Sequence, residues 1–187
     1  MFTAFDIPGV RLYTPRRFGD ARGYFMEAWS ERVFAAEGLP GFVQDNEVLS
    51  ESAGTVRGLH FQTDPFGQAK LLRCIVGAVF DVVVDIRRGS PTFGKHVGIE
   101  LRPDTGALYL PVGMAHGYCT LVRGALVQYK VSAPYAPNNE GGIAWDDPAL
   151  GISWPIAAAS AVLSEKDKQL PRLADLQSPF VYDPSGA

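Results

Sequence analysis

The 187-residue sequence is poor in cysteine and histidine and has no strong excess of either charge. Its two cysteines, Cys74 and Cys119, lie inside apolar runs without metal-type spacing, so we expect buried free thiols rather than a disulfide. Lysine and arginine number 17 against 20 acidic residues, which gives a net charge of −3. This balance predicts no general attraction for nucleic acid or for an anionic membrane, so any phosphate binding must be local.

Long apolar runs and a secretory signal are also missing. The first residues, MFTAFDIPGV, contain no basic stretch followed by an apolar segment, and no later run approaches the length that crosses a bilayer. We therefore expect a cytoplasmic protein without a membrane partner. The length and the 47% apolar content suit a single domain, residues 1–187, around one core.

Helical periodicity is scarce, whereas 20 glycines and 14 prolines separate many short runs of β-branched and aromatic residues. This pattern predicts an all-β protein, either a sandwich or a barrel. Helices are predicted only over residues 30–39, where Ser30 would cap the start and Gly38 would end the helix, and in a terminal stretch that begins at Ser164.

The longest strand-like run extends from Lys70 to Arg87, and Gly77 at its middle indicates a turn or bulge that divides it. In the second half, charged residues at 81, 85 and 87 alternate with apolar ones. A half-polar face inside a barrel predicts the wall of a pocket. Further strands are predicted at 97–101, 107–110, 118–121 and 125–131.

The three histidines differ in their surroundings. In RGLHFQ, alternation places His60 on a face of mostly small or polar residues and Arg57 on the opposite face. That position suits a packed polar core residue as well as a catalytic one. His116 follows the segment PVGMA at a predicted turn, where structural or exposed histidines are common, and His96 stands in a loop-like stretch that predicts solvation.

No metal site is predicted. His60 is followed by Phe61 and Gln62, which provide no second histidine, and His116 has no histidine or cysteine close by. Because the sequence also lacks a dinucleotide fingerprint, we expect no metal and no cofactor. Proton transfer next to a carbonyl is chemistry that side chains alone can perform.

The candidate acid, cation and carboxylate are each ambiguous on pattern alone. Tyr129 shares a strand face with two valines, as an aromatic core residue does. Lys70 begins an apolar strand, a position that also suits a solvated strand-end lysine. Asp167 stands three residues after Ser164, where it would equally serve a helix cap.

Seven segments in order resemble the dTDP-4-dehydrorhamnose 3,5-epimerase family, and together they span nearly the whole chain. They are FGDARGYFMEAW (18–29), FVQDN (42–46), RGLHFQ (57–62), the run at 68–94, LPVGMAHGY (110–118), the run at 129–148 and LSEKD (163–167). The resemblance implies an antiparallel jelly-roll, cupin-like β-barrel with a few short helices. It also implies a homodimer and a cofactor-free epimerase of a thymidine-diphosphate 4-keto-6-deoxy sugar.

The resemblance assigns four catalytic positions. His60 would remove the proton at C3 or C5, with Asp167 orienting its ring and stabilising the imidazolium that forms. Lys70 would face the C4 oxygen, where negative charge develops in the enolate. Tyr129 would return a proton from the opposite face of the sugar, as inversion requires.

Nine further positions are implied to bind the nucleoside-diphosphate keto-sugar. Arginine and lysine suit a diphosphate, amides suit a pyrimidine edge or hydroxyls, and an aromatic ring suits a flat base. The RGYFME segment comes from the neighbouring subunit in the family, which would make the dimer part of the site. The nine positions are Arg22, Glu27, Gln44, Asn46, Arg57, His116, Tyr135, Glu140 and Lys166.

One segment departs from the family pattern. After QDN the family commonly continues with a histidine or tyrosine and a serine, whereas this chain has Glu47, Val48 and Leu49. Two alternatives to the double epimerase therefore stay open. One is an epimerase that inverts only C3 or only C5 of another nucleoside-diphosphate 4-keto sugar, and the other is a cupin that binds a sugar or nucleotide without turnover.

Overall fold

A computed structural model describes residues 1–184, and the all-β prediction is confirmed. Most strands are short and are separated by glycine-containing turns, as the composition predicted. The thirteen strands within these residues are β1 (Phe2–Ala4), β2 (Arg11–Tyr13), β3 (Arg17–Asp20), β4 (Gly23–Met26), β5 (Gln44–Ser50), β6 (Val56–Gln62), β7 (Lys70–Val76), β8 (Val79–Asp85), β9 (His96–Leu101), β10 (Ala107–Leu110), β11 (Met114–Thr120), β12 (Ala125–Val131) and β13 (Glu140–Gly142).

Two antiparallel sheets contain most of the strands. One has six strands in the order β1-β2-β10-β7-β12-β5, and the other has five in the order β13-β6-β11-β8-β9. Strands β3 and β4 form a separate hairpin. Gly77, with φ +83°, does divide the long run, because β7 on one side of it belongs to the six-stranded sheet and β8 on the other side belongs to the five-stranded sheet.

The main core lies between the two sheets. Leu72 and Val127 of the six-stranded sheet belong to the same buried cluster as Val83 and Tyr118 of the five-stranded sheet. Side chains alternate along each strand, so the inward positions fill this space. Some outward positions pack against other segments, as Leu59 does, and others are exposed, as in β5. The result is the jelly-roll arrangement of an antiparallel cupin-like barrel.

The predicted helix at 30–39 is shorter than expected. Helix α1 spans Glu31–Ala36, and Ser30 makes no side-chain capping hydrogen bond. The last predicted residues instead close the helix, because the N–H of Gly38 donates to Ala35 O and the N–H of Leu39 donates to Phe34 O. Gly38 has φ +72°, the conformation that this C-terminal motif requires. Phe34 packs in an aromatic cluster on the outside of the six-stranded sheet.

The helix predicted from Ser164 is wrong. In its described part, up to residue 184, this stretch forms two 3₁₀ turns, Asp167–Gln169 and Leu173–Asp175, and no α-helix. Pro171 follows closely and disfavours a helical conformation at Leu170, so too few residues remain for an α-helix. The Asp167 N–H does donate to Ser164 Oγ at 3.1 Å, but the Asp167 side chain points to another partner.

Strand positions were predicted well except at β11. The strands predicted at 107–110 and 125–131 match β10 and β12, and the one at 97–101 matches β9 to within a residue. β11 begins at Met114 rather than at Tyr118, so the prediction that His116 stands in a turn is wrong. The tight turn ends at Gly113, with φ +90°, and the following residues pair on both sides with β6 and β8.

Both cysteines are buried and free, which confirms the prediction of unpaired thiols. Over residues 1–184, none of the helices has the length and apolar character that crossing a membrane demands.

Candidate active site

His60 lies near the end of β6, in register with His116 of β11. The pairing then shifts, because the next pair joins Tyr118 to Arg57, so that two residues of β6 lie opposite Gly117 alone. This extra residue is a β-bulge, which interrupts the side-chain alternation of its strand. Arg57 therefore lines the same cavity as His60, and the prediction that places them on opposite faces is wrong.

Close approach of the two strands at the bulge requires glycine on both sides. A Cβ atom added to Gly58, which has φ +112°, would lie 2.6 Å from His116 O. A Cβ atom added to Gly117 would lie 2.4 Å from Arg57 O. Both distances are far below van der Waals contact, so these glycines fix the spacing that positions the two histidines.

Asp167 reaches His60 because its segment is paired with the start of β6. The N–H of Val56 donates to Val162 O, and the N–H of Val162 donates to Gly54 O, each at 2.9 Å. The Asp167 carboxylate Oδ1 then lies 2.7 Å from His60 Nε2. This hydrogen bond puts the ring proton on Nε2 and leaves the lone pair on Nδ1.

The carboxylate of Asp167 is buried and held ionised. Burial alone would raise the pKa of Asp167, but hydrogen bonds from His60, the Gly58 N–H and Ser164 bring it below its ordinary value. Asp167 therefore presents a fixed negative charge to the imidazole at neutral pH, which stabilises the ring when it gains a proton.

Lys70 and Tyr129 project from the opposite sheet. In the pairing of β7 with β12, Lys70 lies beside Val131 and Tyr129 lies beside Leu72, so the two side chains are neighbours on the inner face. Lys70 is only 9% exposed. The sandwich thus places an imidazole on one sheet and an ammonium with a phenol on the other.

The space between these side chains is a cavity of about 430 Å³, which we call the main cavity. A second cavity of about 120 Å³ adjoins it and shares His60, Lys70 and Tyr129 as lining residues. Volumes of this order suit a small-molecule ligand. The main cavity is lined by seven predicted site residues: His60, Lys70, Tyr129, Asp167, Arg57, His116 and Lys166. The second cavity is lined by four more: Gln44, Asn46, Tyr135 and Glu140.

Burial shifts the proton affinities of the two groups on the six-stranded sheet. It lowers the pKa of Lys70 to about 8, against the opposing charges of Asp81 and Glu140. Burial also raises the pKa of Tyr129, although Arg57 acts in the opposite direction. At neutral pH the phenol is therefore protonated and able to donate, while the lysine is mostly cationic.

His116 makes a second histidine–carboxylate pair. Its Nε2 lies 3.0 Å from both carboxylate oxygens of Asp81, which is completely buried. The half-polar face predicted for β8 contributes only this one group to the surroundings of the cavity. Asp85 is bound instead by Arg87 at the strand end, so the prediction that the whole charged face forms a pocket wall is wrong.

The second cavity contains the amides and the exposed aromatic ring. Gln44 donates from Nε2 to Asn46 Oδ1 at 2.8 Å, and its own Oε1 accepts from the Tyr135 N–H at 3.0 Å. Gln62 fixes the same loop, since it donates to Pro134 O and accepts from the Ala136 N–H. The ring of Tyr135 remains largely exposed, as a surface for a flat ligand would be.

Two cationic groups, Lys166 and Arg57, line the main cavity together with the catalytic candidates. Lys166 is paired with Glu140, a contact that raises the pKa of the lysine. Arg57 donates from Nε to Ser50 Oγ at 3.3 Å. The two cations border the main cavity and can neutralise an anionic ligand locally, although the whole chain is acidic.

Arg22 and Glu27 do not line either cavity of this chain. The side chain of Arg22 is 89% exposed and pairs with Asp20 in the β3–β4 hairpin. Glu27 is also exposed and offers its carbonyl oxygen to Tyr13. These two residues therefore face away from the site that the other eleven form.

The segment that departs from the family pattern lies in β5, where its side chains alternate between the main cavity and solvent. Of Glu47, Val48 and Leu49, only Val48 lines the main cavity. Its neighbours occupy the outward positions of β5 and are exposed. The departure therefore replaces one cavity residue with an apolar side chain and otherwise alters the outer surface of the sheet.

Several residues that line the two cavities, or that bind a lining residue, were missed by the sequence reasoning. The partner of His116, Asp81, was noticed only as part of an alternating strand, because its pairing depends on β8 and β11 being adjacent. The inward alternation of β7 and β5 could have indicated Leu72 and Val48. No local signal marks Tyr118, Gln68 or Ser164, which line the two cavities through long-range packing.

No group of three or more histidine, cysteine, aspartate or glutamate side chains suited to a metal ion occurs within residues 1–184. The site has the groups of a general acid–base catalyst: a carboxylate-bound imidazole, a protonated phenol and a buried ammonium around one cavity. Fold and site together define a cupin-type jelly roll with an acid–base pocket.

Comparison with known proteins assigns the family. The family model described as dTDP-4-dehydrorhamnose 3,5-epimerase matches residues 4–175, and the chain belongs to this family. A curated dTDP-4-dehydrorhamnose 3,5-epimerase of Sinorhizobium fredii is 51% identical over 183 residues, which cover 97% of this chain and 93% of that protein.

Solved structures agree with this assignment. The dTDP-6-deoxy-D-glucose-3,5-epimerase of Legionella pneumophila, in complex with dTDP-4-keto-L-rhamnose, superposes with a TM-score of 0.92 at 36% identity and covers 98% of both chains. The dTDP-4-dehydrorhamnose 3,5-epimerase of Bacillus anthracis, with TDP and PPi bound, has a TM-score of 0.88 at 42% identity. That match covers 92% of this chain and 98% of the other.

Proposed function

We propose that this protein inverts both C3 and C5 of dTDP-4-dehydro-6-deoxy-glucose and forms dTDP-4-dehydro-L-rhamnose. One observation carries the proposal: His60, oriented by Asp167, and Tyr129 project from opposite sheets into one cavity that also contains Lys70. Family membership and relatives named for the same reaction support it.

In the proposed mechanism His60 acts as the base. A ketone at C4 acidifies the protons at C3 and C5, and the Nδ1 lone pair of His60 removes one of them. The Asp167 carboxylate stabilises the imidazolium that results. Because the carboxylate is fixed before reaction, this stabilisation needs no rearrangement during proton transfer.

Lys70 stabilises the enolate. Proton removal moves negative charge to the C4 oxygen, and a buried ammonium interacts much more strongly with that charge than with the neutral ketone. Tyr129, whose raised pKa keeps it protonated, then delivers a proton to the carbon from the opposite face. Delivery from the opposite face inverts the carbon, and no cofactor or metal takes part in these steps.

The nucleotide would occupy the second cavity and the adjoining surface. Tyr135 would stack on the base, while Gln44 and Asn46 would bond its edge or the sugar hydroxyls. Arg57, Lys166 and His116 would contact the diphosphate or the hexose, with Glu140 holding Lys166 in place.

Arg22 and Glu27 would complete the site of a neighbouring subunit in a homodimer. The hairpin that contains Arg22 exposes three aromatic rings, those of Phe18, Tyr24 and Phe25, which suit an interface. Co-expression of Arg22→Ala with His60→Ala protomers tests this arrangement. Mixed dimers would contain one complete site, so turnover above that of either variant is expected, and no recovery would contradict a shared site.

Solvent deuterium tests the reaction itself. In heavy water, NMR of the sugar should show deuterium at both C3 and C5 together with inversion at both carbons. Net inversion at only one carbon would favour the single-site epimerase, and binding of the nucleotide sugar without exchange would favour a non-catalytic cupin. We expect the enzyme to work in the cytoplasm, where reducing conditions suit its free thiols.

A further inference from the structure

Asp81 is a carboxylate buried in an otherwise apolar part of the core. Its exposure is 0%, and it lies on β8 between the inward residues Val79 and Val83, which belong to the main core cluster. An ionised carboxylate removed from water costs much free energy unless other groups compensate its charge. The position of Asp81 therefore requires a cation or several hydrogen bonds.

His116 holds the Asp81 carboxylate in place but does not by itself balance its charge. Within residues 1–184 the hydrogen bonds of this carboxylate are both to His116 Nε2, which lies 3.0 Å from each oxygen. A neutral imidazole donates one proton and brings no positive charge. Asp85, at the end of the same strand, is by contrast bound by the guanidinium of Arg87.

Lys70 is the cation on which Asp81 acts. The ammonium is buried on the facing sheet, and burial lowers its pKa to about 8, with Asp81 and then Glu140 opposing the decrease. Both carboxylates are bound by other groups, Asp81 by His116 and Glu140 by Lys166. Asp81 therefore attracts the ammonium through space and does not cover it.

The other carboxylates near Lys70 have separate roles. Asp167 binds the proposed base His60, and Glu140 is paired with Lys166. Asp81 is therefore the buried negative charge that is left to balance the ammonium. The charged or titratable residues that line the two cavities together with Lys70 are Arg57, His60, His116, Tyr129, Tyr135, Glu140, Lys166 and Asp167.

We propose that Asp81, held by His116, is a positioning residue of the active site that supplies the buried counter-charge for Lys70. It acts through the lysine and not on the substrate, since it lines neither cavity. A carboxylate bonded directly to the lysine would compete with the enolate for the ammonium. A carboxylate that attracts it from a distance keeps the charge and leaves the N–H donors for the C4 oxygen. The inference rests on the proposed function, because it assigns Lys70 to the enolate.

The substitution Asp81→Asn removes the charge and keeps the size of the side chain. Without the attraction of Asp81 the ammonium should lose its proton more easily, so the alkaline decline of kcat/KM should begin at a lower pH than in the wild type. We expect kcat/KM to fall roughly tenfold or more at about pH 8 and by a smaller factor at about pH 6. A residue that only supports the fold would lower kcat/KM by the same factor at both pH values.

Asp147→Asn is the matched control. Asp147 is also buried, but its carboxylate accepts from the N–H groups of Ala149 and Leu173 and lines neither cavity around Lys70. This variant should keep the wild-type shape of the pH profile, whatever its melting temperature. A pH profile of wild-type shape in Asp81→Asn overturns the inference.

Thermal melting tests the same pair without substrate. Lys70→Met should raise the melting temperature at pH 7 more in the Asp81→Asn background than in the wild type, because the ammonium is costlier without its counter-charge. If Asp81→Asn folds poorly, the double variant should recover a stable fold. An equal rise in both backgrounds, or no recovery, would contradict the pairing. Because melting needs no turnover, failure of the proposed reaction, seen as a wild type that does not invert the sugar, is distinguished from failure of this residue assignment.

Discussion

Asp167 holds His60 across 107 positions of the chain, with its Oδ1 2.7 Å from the ring Nε2. The carboxylate is 5% exposed, and its lowered pKa reflects the hydrogen bonds from His60 and the Gly58 N–H that outweigh the effect of burial. If the negative charge of Asp167 supports proton removal, a neutral side chain of the same size should lower the rate of catalysis more than it weakens substrate binding.

The substitution Asp167→Asn tests this dependence. We expect kcat to fall roughly a hundredfold or more, because an amide does not stabilise the imidazolium that forms when His60 takes a proton. The Kd of the nucleoside diphosphate should change little. Asp175→Asn, at an exposed aspartate, is the control and should be fully active. Nearly normal kcat in Asp167→Asn would remove the carboxylate from the mechanism.

The lowered pKa of Lys70 predicts a loss of activity at alkaline pH. Burial lowers its pKa to about 8, so the ammonium loses its proton as pH rises through that value, and the enolate loses its stabilising cation. A pH profile of kcat/KM should therefore decline above about 8. Lys70→Arg, which keeps its charge to higher pH, should shift this decline upward if it remains active.

Removal of the buried charge of Lys70 should abolish catalysis but stabilise the fold. The folded protein disfavours the charged form of Lys70, since its pKa is lowered there, and at pH 7 an apolar side chain relieves this cost. Lys70→Met should therefore be inactive but melt at a higher temperature than the wild type. A lower melting temperature would show that the lysine contributes net stability.

The bulge between β6 and β11 predicts a steric requirement at Gly117. A Cβ atom there would lie 2.4 Å from Arg57 O, so Gly117→Ala must separate the strands that position His60 and His116. We expect a lower melting temperature and a lower kcat. Gly41→Ala is the control, because a Cβ atom there meets nothing within 4 Å. Wild-type kcat in Gly117→Ala would show that the close approach is unnecessary.

Acid stability should depend on Asp85. Burial alone would raise the pKa of Asp85, but bonds from Arg87, Ser90 and Thr92 lower it below the unfolded value. A lowered folded-state pKa contributes stability that is present above about pH 4 and is lost as pH falls through the folded pKa. The free energy of unfolding should therefore decrease on acidification below about pH 4.

Asp85→Asn should lower the free energy of unfolding at pH 7 by about 3 kcal/mol, because it leaves the buried Arg87 without its counter-charge. It should also flatten the acid dependence. Asp104→Asn, in an exposed turn, is the control. Urea unfolding curves between pH 3 and pH 7 measure both effects. If the free energy of unfolding of Asp85→Asn fell with pH as steeply as that of the wild type, the assignment of acid sensitivity to this pair would be contradicted.

Much of the fold followed from local patterns. Glycine and proline spacing with β-branched runs predicted β9, β10 and β12 almost to the residue, and Gly77 marked the passage between sheets. The errors occurred where tertiary contacts override local preference. His116 and Gly117 resemble a turn in sequence, yet pairing on both sides makes them a strand, and Pro171 ends the helix predicted from Ser164 before it forms.

The site was predictable by resemblance more than by pattern. Periodicity put Arg57 on the wrong face because a bulge is invisible in a single sequence, and Lys70 and Tyr129 became neighbours only through the register of β7 with β12. Asp167 reaches His60 through the pairing of residue 162 with the start of β6. Such contacts depend on the assembled sandwich, which local propensity does not encode.

The central claim is that the base and the acid act from opposite sides of one cavity. Separate assays of His60→Ala and Tyr129→Phe in heavy water test this claim most directly. Tyr129→Phe should still incorporate deuterium at C3 or C5, because His60 still removes the proton, but with retention of configuration. His60→Ala should neither exchange nor invert. Inversion at the wild-type rate in either variant, or exchange in His60→Ala, would contradict the account.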